Sequence, residues 1–576
     1  MKTRTFVLAL GTAALAAGTA TAADVTISGD ITTSQTWTKN NVYKLSGQVF
    51  VMPGATLTIE AGTVIASEAG GSLAVGRDGR IVADGSASEP IIFTSAADRA
   101  TWTVANPQGS WRAAANEWGN LTIMGNGYIG KYGNGAPAGN TATPNSANFA
   151  NMEGLVAADA NDTRVRYGGG NDQDDSGTLR YASFRYGGKV VGLGTELNGI
   201  SLGGVGQGTE IDHVEVMNNV DDGIEIWGGK VDLKYFSIWN IGDDSFDLDH
   251  GWRGRAQFGL IVSGYSIPGA ASGSGFPDSM IEIDGAAKSD AQPVTTCSLF
   301  NFTLIGQPFA TGRHAIKFRD NARMQVRNSI IMDCPAQVIR NDGTDGEATD
   351  GQTGYGFNGT HTFAATWTTD YNVYPTVNAG SGSTASNASF YSAQSAGKLN
   401  QITDTVFYGN SNAAAYTEAN ARGVFAAANN NVQEPAALPI VSITRSSPLV
   451  LTGGTIAPVT ALDPRAAGAA ATSVTQAPNN GFFTPVTYRG AFSPTENWMC
   501  GWTAAHAYGY SVVPPNGCTV ESNCPADLTG DGSVDGQDLG VLLGNWGGTG
   551  AGNLNGDASV DGQDLGILLG AWGSCG

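Results

Sequence analysis

The chain has 576 residues, of which 41% are hydrophobic and only 14% charged, with 51 acidic against 30 basic side chains and a formal net charge of −21. That balance argues against nucleic acid as a partner, because phosphate binding needs a basic field. The length supplies material for a large core, and 81 glycines point to a turn-dense, all-β body.

Lys2 and Arg4 precede an apolar run from Phe6 to Ala17, followed by Ala20-Thr-Ala22. A basic start, a short apolar core and a small-residue cleavage site make residues 1–22 a signal peptide, so the mature chain is expected to begin at Ala23 and to be secreted, extracellular or at the cell surface. No later stretch reaches the eighteen apolar residues of a membrane span, so an integral membrane protein is not expected.

Internal repetition carries the fold of the body. Residues 211–229 align without a gap on 233–251, an offset of 22, and the match continues from Phe236 and Ile238 to Phe258 and Leu260. Two short alternating strands per 22 residues, separated by Asn/Asp/Gly turns, predict the coils of a parallel β-helix. Leu57-Thr-Ile59 and Leu73-Ala-Val75 are expected to begin it. Further rungs fall at Ile200, Ile281 and Ile316, with loops such as Tyr265 to Phe276 between them, and residues 104–178 read as a decorated insertion with one strand at Asn120 to Met124. One continuous helix is expected from about 45 to 495, with Ile200, Ile224, Phe246, Ile281 and Ile316 stacked inside.

Stacking those rungs puts Ser201, Glu225, Asp247, Glu282 and Lys317 in one outward column, and Gly203, Trp227, Asp249, Asp284 and Arg319 in the next. Neighbouring rungs sit about 4.8 Å apart. Two ionised carboxylates at that spacing repel by roughly 3–4 kcal/mol at an effective dielectric near 20, so the column calls for a cation, a raised pKa or splayed side chains. A solvated acidic face is the plain alternative. Gly199-Ile-Ser201-Leu-Gly203 matches a nucleophile elbow in letters only, since no helix follows the strand.

With the landmarks Glu117-Trp-Gly, Arg166-Tyr-Gly-Gly, Asp221-Asp-Gly-Ile-Glu, Gly242-Asp-Asp-Ser-Phe-Asp and Gly481-Phe-Phe-Thr-Pro-Val-Thr-Tyr-Arg-Gly-Ala-Phe, the body resembles exported right-handed parallel β-helix (pectin-lyase-like) proteins. Pectate lyases of that fold hold Ca²⁺ on carboxylates and abstract a proton with Arg or Lys. The resemblance therefore implies Asp247, Asp249, Lys317 and Arg319 as candidate catalytic residues, with Trp227, Trp239 and Trp252 as sugar-stacking faces if exposed.

Two copies of a twelve-residue acidic loop close the chain at an offset of 26. Ca²⁺ takes six to eight oxygens, which such a loop delivers from positions 1, 3, 5, 7, 9 and 12. The first loop offers Asp527, Thr529, Asp531, Ser533, Asp535 and Asp538, and the second Asn553, Asn555, Asp557, Ser559, Asp561 and Asp564. Asn553 removes a carboxylate and Ala558 replaces the turn glycine, so the second site is expected to be weaker. Each loop precedes a short apolar segment ending at Trp546 or Trp572. The pair resembles a dockerin module, of the type at the C-termini of secreted planctomycete-type proteins. That resemblance implies a cohesin-like protein partner, recognised at Gly536, Gln537, Gly562 and Gln563.

The expected organisation is thus a signal peptide (1–22), an all-β helix body (23–505), a linker (506–523) and a calcium module (524–576). Six cysteines in an exported chain favour disulfides. Their clustering suggests Cys524 with Cys575, leaving Cys500 with Cys518 and Cys297 with Cys334. Two functions remain open: a displayed surface protein that binds polysaccharide or cell-surface partners, or a polysaccharide lyase or glycosidase acting on an acidic polysaccharide.

Overall fold

The structure, a computed structural model, describes residues 23–131, 144–192, 195–266, 275–286, 292–309, 314–319, 321–341, 362–371, 391–410, 422–451, 454–515, 517–518, 526–529, 533–548, 550, 552–555 and 559–574. Period-two alternation builds a front sheet of nine parallel strands among the described residues, from Gln48–Val51 through Leu121–Met124, Ile200–Gly203, Ile224–Trp227 and Phe246–Asp249 to Ile339–Asn341. Leu121, Ile200, Ile224, Phe246, Ile281, Ile316 and Ile339 follow one another in register. All seven are at most 1% exposed. The middle five are the inward column that the repeats predicted, and Leu121 and Ile339 extend it at either end.

The other strands bend around the back. Gly177–Arg185, Glu210–Asn219, Asp232–Ile241 and Arg255–Val262 share a corner at a left-handed residue, respectively Tyr181, His213, Tyr235 and Phe258, with φ between 46° and 60°, and Asn218 and Asn240 are left-handed near the ends of the middle two. That conformation costs about 1–2 kcal/mol per non-glycine residue. The rings stack in sequence with centroids 4.3, 4.5 and 4.7 Å apart, an arrangement that offsets about 0.5–1.5 kcal/mol per pair. Asn301, Asn328 and Asp404 take over the same corner in later coils. Their short polar side chains tolerate it best.

Parallel pairing begins at Ala23–Ile27, before the expected start, and ends at Val432–Gln433, short of the expected 495. Beyond it, Ile440–Arg445 pairs antiparallel with Val459–Ala466, and the chain to Val512 lies along the back of the helix. Met217, Trp239, Leu260 and Val262 point outward there and need cover. Phe492, Met499, Ala504 and Ala505 provide it. Glu215, fully buried, fixes the strap: its carboxylate accepts the backbone N–H of Ala504 at 2.5 Å and of Ala505 at 3.0 Å.

Cys500 and Cys518 form a disulfide, whereas Cys297 and Cys334 are free and buried. The expected Cys297–Cys334 pair does not form, because Cys297 stacks in register with Met324 while Cys334 Sγ donates to Gln337 O. Cys524 and Cys575 lie outside the described residues. At the C-terminus, helices Gly536–Gly544 and Gly562–Gly570 bury Leu542 and Leu568 with Val534, Val560 and Ala526. No helix among the described residues is long and apolar enough to cross a membrane.

Candidate functional site

Register places Ser201, Glu225, Asp247, Glu282 and Lys317 on five consecutive rungs of the front sheet. Gly203, Trp227 and Asp249 are likewise aligned. Asp284 and Arg319 extend that column just past the strands, their N–H groups donating to Leu248 O at 2.7 Å and Ile283 O at 2.9 Å. All four candidate catalytic residues are therefore brought onto one face.

The face is only partly open, however, where the sequence suggests an open one: Asp247, Asp249, Asp284 and Arg319 are half-buried and the rest of the two columns is buried. Glu225, Glu282 and Lys317 are 8%, 4% and 8% exposed. The insertion folds back across the sheet, packing Met152 and Tyr167 with Trp227. Gly203 makes room for it: a Cβ there would sit 2.4 Å from Met152 Cε and 2.6 Å from Tyr167 Cγ. The Tyr167 hydroxyl bonds His250 Nδ1 at 2.9 Å, and His250 Nε2 lies 2.9 Å from Asp249 Oδ2. Burial holds His250 below its usual pKa, so a neutral ring donates from Nε2 to Asp249 and accepts from the tyrosine at Nδ1.

Lys317 Nζ pairs with Glu282 and lies 3.1 Å from Asp278 Oδ2; Arg319 Nη1 reaches Glu282 Oε1 at 2.6 Å and Asp284 Oδ2 at 3.4 Å. Burial alone would weaken the Lys317 ammonium, but Asp244, Glu282 and Asp278 outweigh it and raise its pKa. Arg319 is shifted the same way, with Asp284 and Glu282 outweighing burial.

Higher in the column, carboxyl oxygens of Asp222, Glu225 and Asp247 lie within 4.8 Å of one another. Glu225 Oε2 accepts from Asn198 Nδ2 at 2.5 Å and Asp222 Oδ1 from the N–H of Asp244 at 2.9 Å, while Asp247 Oδ1 is buried without a hydrogen-bond partner. Burial first, then repulsion from neighbouring carboxylates (Asp221 on Asp222, Asp247 on Glu225, Glu282 on Asp247), raises the pKa of all three well above the usual range. Asp243 is pushed up to about 7 by burial and by Asp278. Such a group of acids holds protons or a cation. Asp222, Asp243 and Asp244 lie in the landmark segments quoted above, but neither they nor Asp278 and Asn198 were assigned to the site from sequence, although the Asp-Asp pairs repeating at offset 22 were the available signal.

Trp227, Trp239 and Trp252 are 3%, 1% and 0% exposed and offer no sugar-stacking face. Trp252 Nε1 donates to Val231 O at 3.0 Å inside the helix, and Trp239 lies under the C-terminal strap. Aromatic bulk on an inward or covered position serves packing.

The parallel coils and the front-sheet columns make the body a parallel β-helix. A family model for a pectate-lyase like beta helix domain matches residues 29–406. The chain belongs to this family. No curated protein matches it, and no solved structure does. The pectate-lyase-like coils thus account for the body through Val406, and the C-terminal module stands outside the match.

In that module, Asp535 and Asp561 cap their helices, each in a reciprocal box with Asp538 or Asp564. Asp538 accepts the N–H groups of Thr529 at 2.9 Å and Asp535 at 2.8 Å; Asp564 accepts those of Leu554, Asn555 and Asp561 at 2.6, 3.1 and 2.8 Å. The last ligand position of each loop thereby ties the loop to its helix. Gly536, Gln537, Gly562 and Gln563 are exposed on the first helical turns. Asp531, Asp557 and the side chain of Ser533 lie outside the described residues.

Proposed function

We propose that the protein is an exported, polysaccharide-binding β-helix displayed through its C-terminal calcium module, and that its acidic column is a structural network. The fate of Lys317 and Arg319 carries this reading. Both are ion-paired and held charged, whereas a lyase base must offer a proton-free nitrogen to its substrate. A polysaccharide ligand is compatible with the fold, because a solenoid repeats its surface groups at about 4.8 Å and so presents a periodic face to an extended polymer. Export rests on residues 1–22 and calcium binding on the two acidic loops. Gly536, Gln537, Gly562 and Gln563 support a cohesin-like partner. A glycan array probed with the full-length protein tests the reading: it expects retention of one glycan class with no turnover, and silence across the panel would reject it.

A second reading, a lyase or glycosidase acting on polysaccharide, is favoured by one observation. Asp222, Glu225 and Asp247 converge with raised pKa values, so one carboxyl can stay protonated as a general acid beside an ionised neighbour. Asp222 and Glu225 are buried and Asp247 half-buried, so substrate would have to displace part of their cover to reach all three. Turnover lost in Asp247→Asn with the fold intact would establish it.

A further inference from the structure

Arg77 stands outside the ion pairs of the front sheet. It follows the strand Ser72–Val75 and, among the described residues, makes one hydrogen bond to protein, from Nη1 to Gly168 O at 2.9 Å, and no ion pair. Its side chain lines a pocket of about 250 Å³ together with Phe50, Met52, Pro53, Asp78 and Arg164. That is below the roughly 300–1,000 Å³ of pockets that enclose a drug-sized ligand, and suits a single sugar ring.

The charges around the pocket differ in availability. Arg164 is committed, lying 2.8 Å from both Asp162 and Asp30 and over the Phe50 ring at 4.7 Å. Arg166 adds a nearby like charge; it stacks on Phe149 at 4.7 Å, and its buried Nε finds no acceptor. Asp78 and Asp174 oppose them; Asp78 is exposed and Asp174 buried, and Asn126 Nδ2 donates to Oδ1 of each at 3.0 Å. Burial lowers the Arg77 pKa, yet a guanidinium stays charged at any physiological pH. A half-buried fork with open N–H groups beside apolar side chains is suited to a planar or tetrahedral oxyanion carried on a ring.

We propose that the Arg77 pocket is a subsite for an acidic sugar, with the guanidinium taking a carboxylate or sulfate group and Met52 and Pro53 packing against the ring. This rests on the polysaccharide-binding reading and adds the charge class of the ligand. Sequence reading missed Arg77 because a single arginine in a Gly-Arg-Asp-Gly turn carries no pattern.

Calorimetry on the full-length protein tests the proposal, with short oligouronates, sulfated oligosaccharides and neutral oligosaccharides as probes at low and high salt. Wild type is expected to bind an acidic probe, salt-sensitively and in preference to neutral ones; which acidic probe binds tells carboxylate from sulfate. Arg77→Gln should weaken binding about tenfold or more, the scale of a charge-assisted hydrogen-bond pair. Arg77→Lys should weaken it too, because a point charge does not fill a fork. Asp78→Asn should tighten it roughly twofold by removing a like charge, a gain that misfolding cannot produce. Unchanged affinity in Arg77→Gln, or a preference for neutral probes, overturns the subsite and leaves the polysaccharide reading standing. Failure of wild type to bind any probe overturns both.

Discussion

Glu282 and Lys317 face each other on adjacent rungs and are joined by an ion pair, with Arg319 closing on the same carboxylate at 2.6 Å. Two cations on one buried carboxylate compensate charges that neighbouring rungs stack too closely. Removing one partner of such a network leaves an uncompensated buried charge. Lys317→Ala should therefore lower the melting temperature of the β-helix as well as any activity, and a variant that melts like wild type would show that the network contributes nothing.

The acids above that pair make stability depend on pH in a definite direction. Asp222, Glu225 and Asp247 have folded pKa values raised above their unfolded ones, and Asp243 is raised to about 7. A raised carboxyl binds its proton more tightly when folded, so its contribution is complete below the unfolded pKa near 4 and is lost as pH rises through the folded value. In calcium-free buffer the β-helix should melt at progressively lower temperature from about pH 4 to beyond pH 7. Asp247→Asn should flatten the slope. A melting temperature that rises over that range would refute the assignment.

Much of this was legible in the sequence because a solenoid writes its geometry as a repeat. The 22-residue offset put Ile224 over Phe246 and Glu225 over Asp247, and the longer 35-residue steps carried the same columns to Glu282 and Lys317. What lies over the columns follows no period. Tyr167 meets His250 across 83 residues, and Glu215 meets Ala504 across 289. Contacts of that range, made by an insertion and by a strap, are fixed by shape complementarity, so the columns looked solvated and the tryptophans looked available. The end of the coils near Gln433 was hidden for the same reason, since apolar segments that cover a sheet resemble segments that extend it.

The inward column gives the fold its most direct mutational test. Phe246 is fully buried, with its ring centroid 5.3 Å from that of Phe236 and 6.0 Å from that of Trp252. Phe246→Ala should cost about 3–5 kcal/mol. Phe246→Asp should cost more, because it buries an unpaired carboxylate, and should unfold neighbouring coils with its own. Denaturant melts followed by circular dichroism measure both, and a wild-type midpoint for Phe246→Asp would place this column outside the core.

The strap rests on Glu215. Glu215→Ala leaves the N–H groups of Ala504 and Ala505 buried without their acceptor, each a cost of about 1–3 kcal/mol. Limited proteolysis of that variant should cut between residues 490 and 512 before it cuts the coils. Equal resistance of the strap in wild type and variant would show that apolar contacts alone hold it down.

The C-terminal loops should bind two Ca²⁺ ions, the first more tightly, because Asp527, Asp531, Asp535 and Asp538 supply four carboxylates against three in Asp557, Asp561 and Asp564, and ligand charge tunes affinity. Titration of the full-length protein beside Asp538→Ala and Asp564→Ala should remove the tighter and the weaker site respectively. A tighter second loop would contradict the ligand count.

The central claim is that Lys317 and Arg319 are structural cations, and the most direct measurement is the ultraviolet absorbance of unsaturated ends when the full-length protein is incubated with polyuronates and Ca²⁺. The account predicts no increase over the protein-free control, with the same polymers tested for retention by the protein. An increase in wild type that Lys317→Ala or Arg319→Ala abolishes, with the fold intact, would contradict it and make the column the catalytic centre of a lyase.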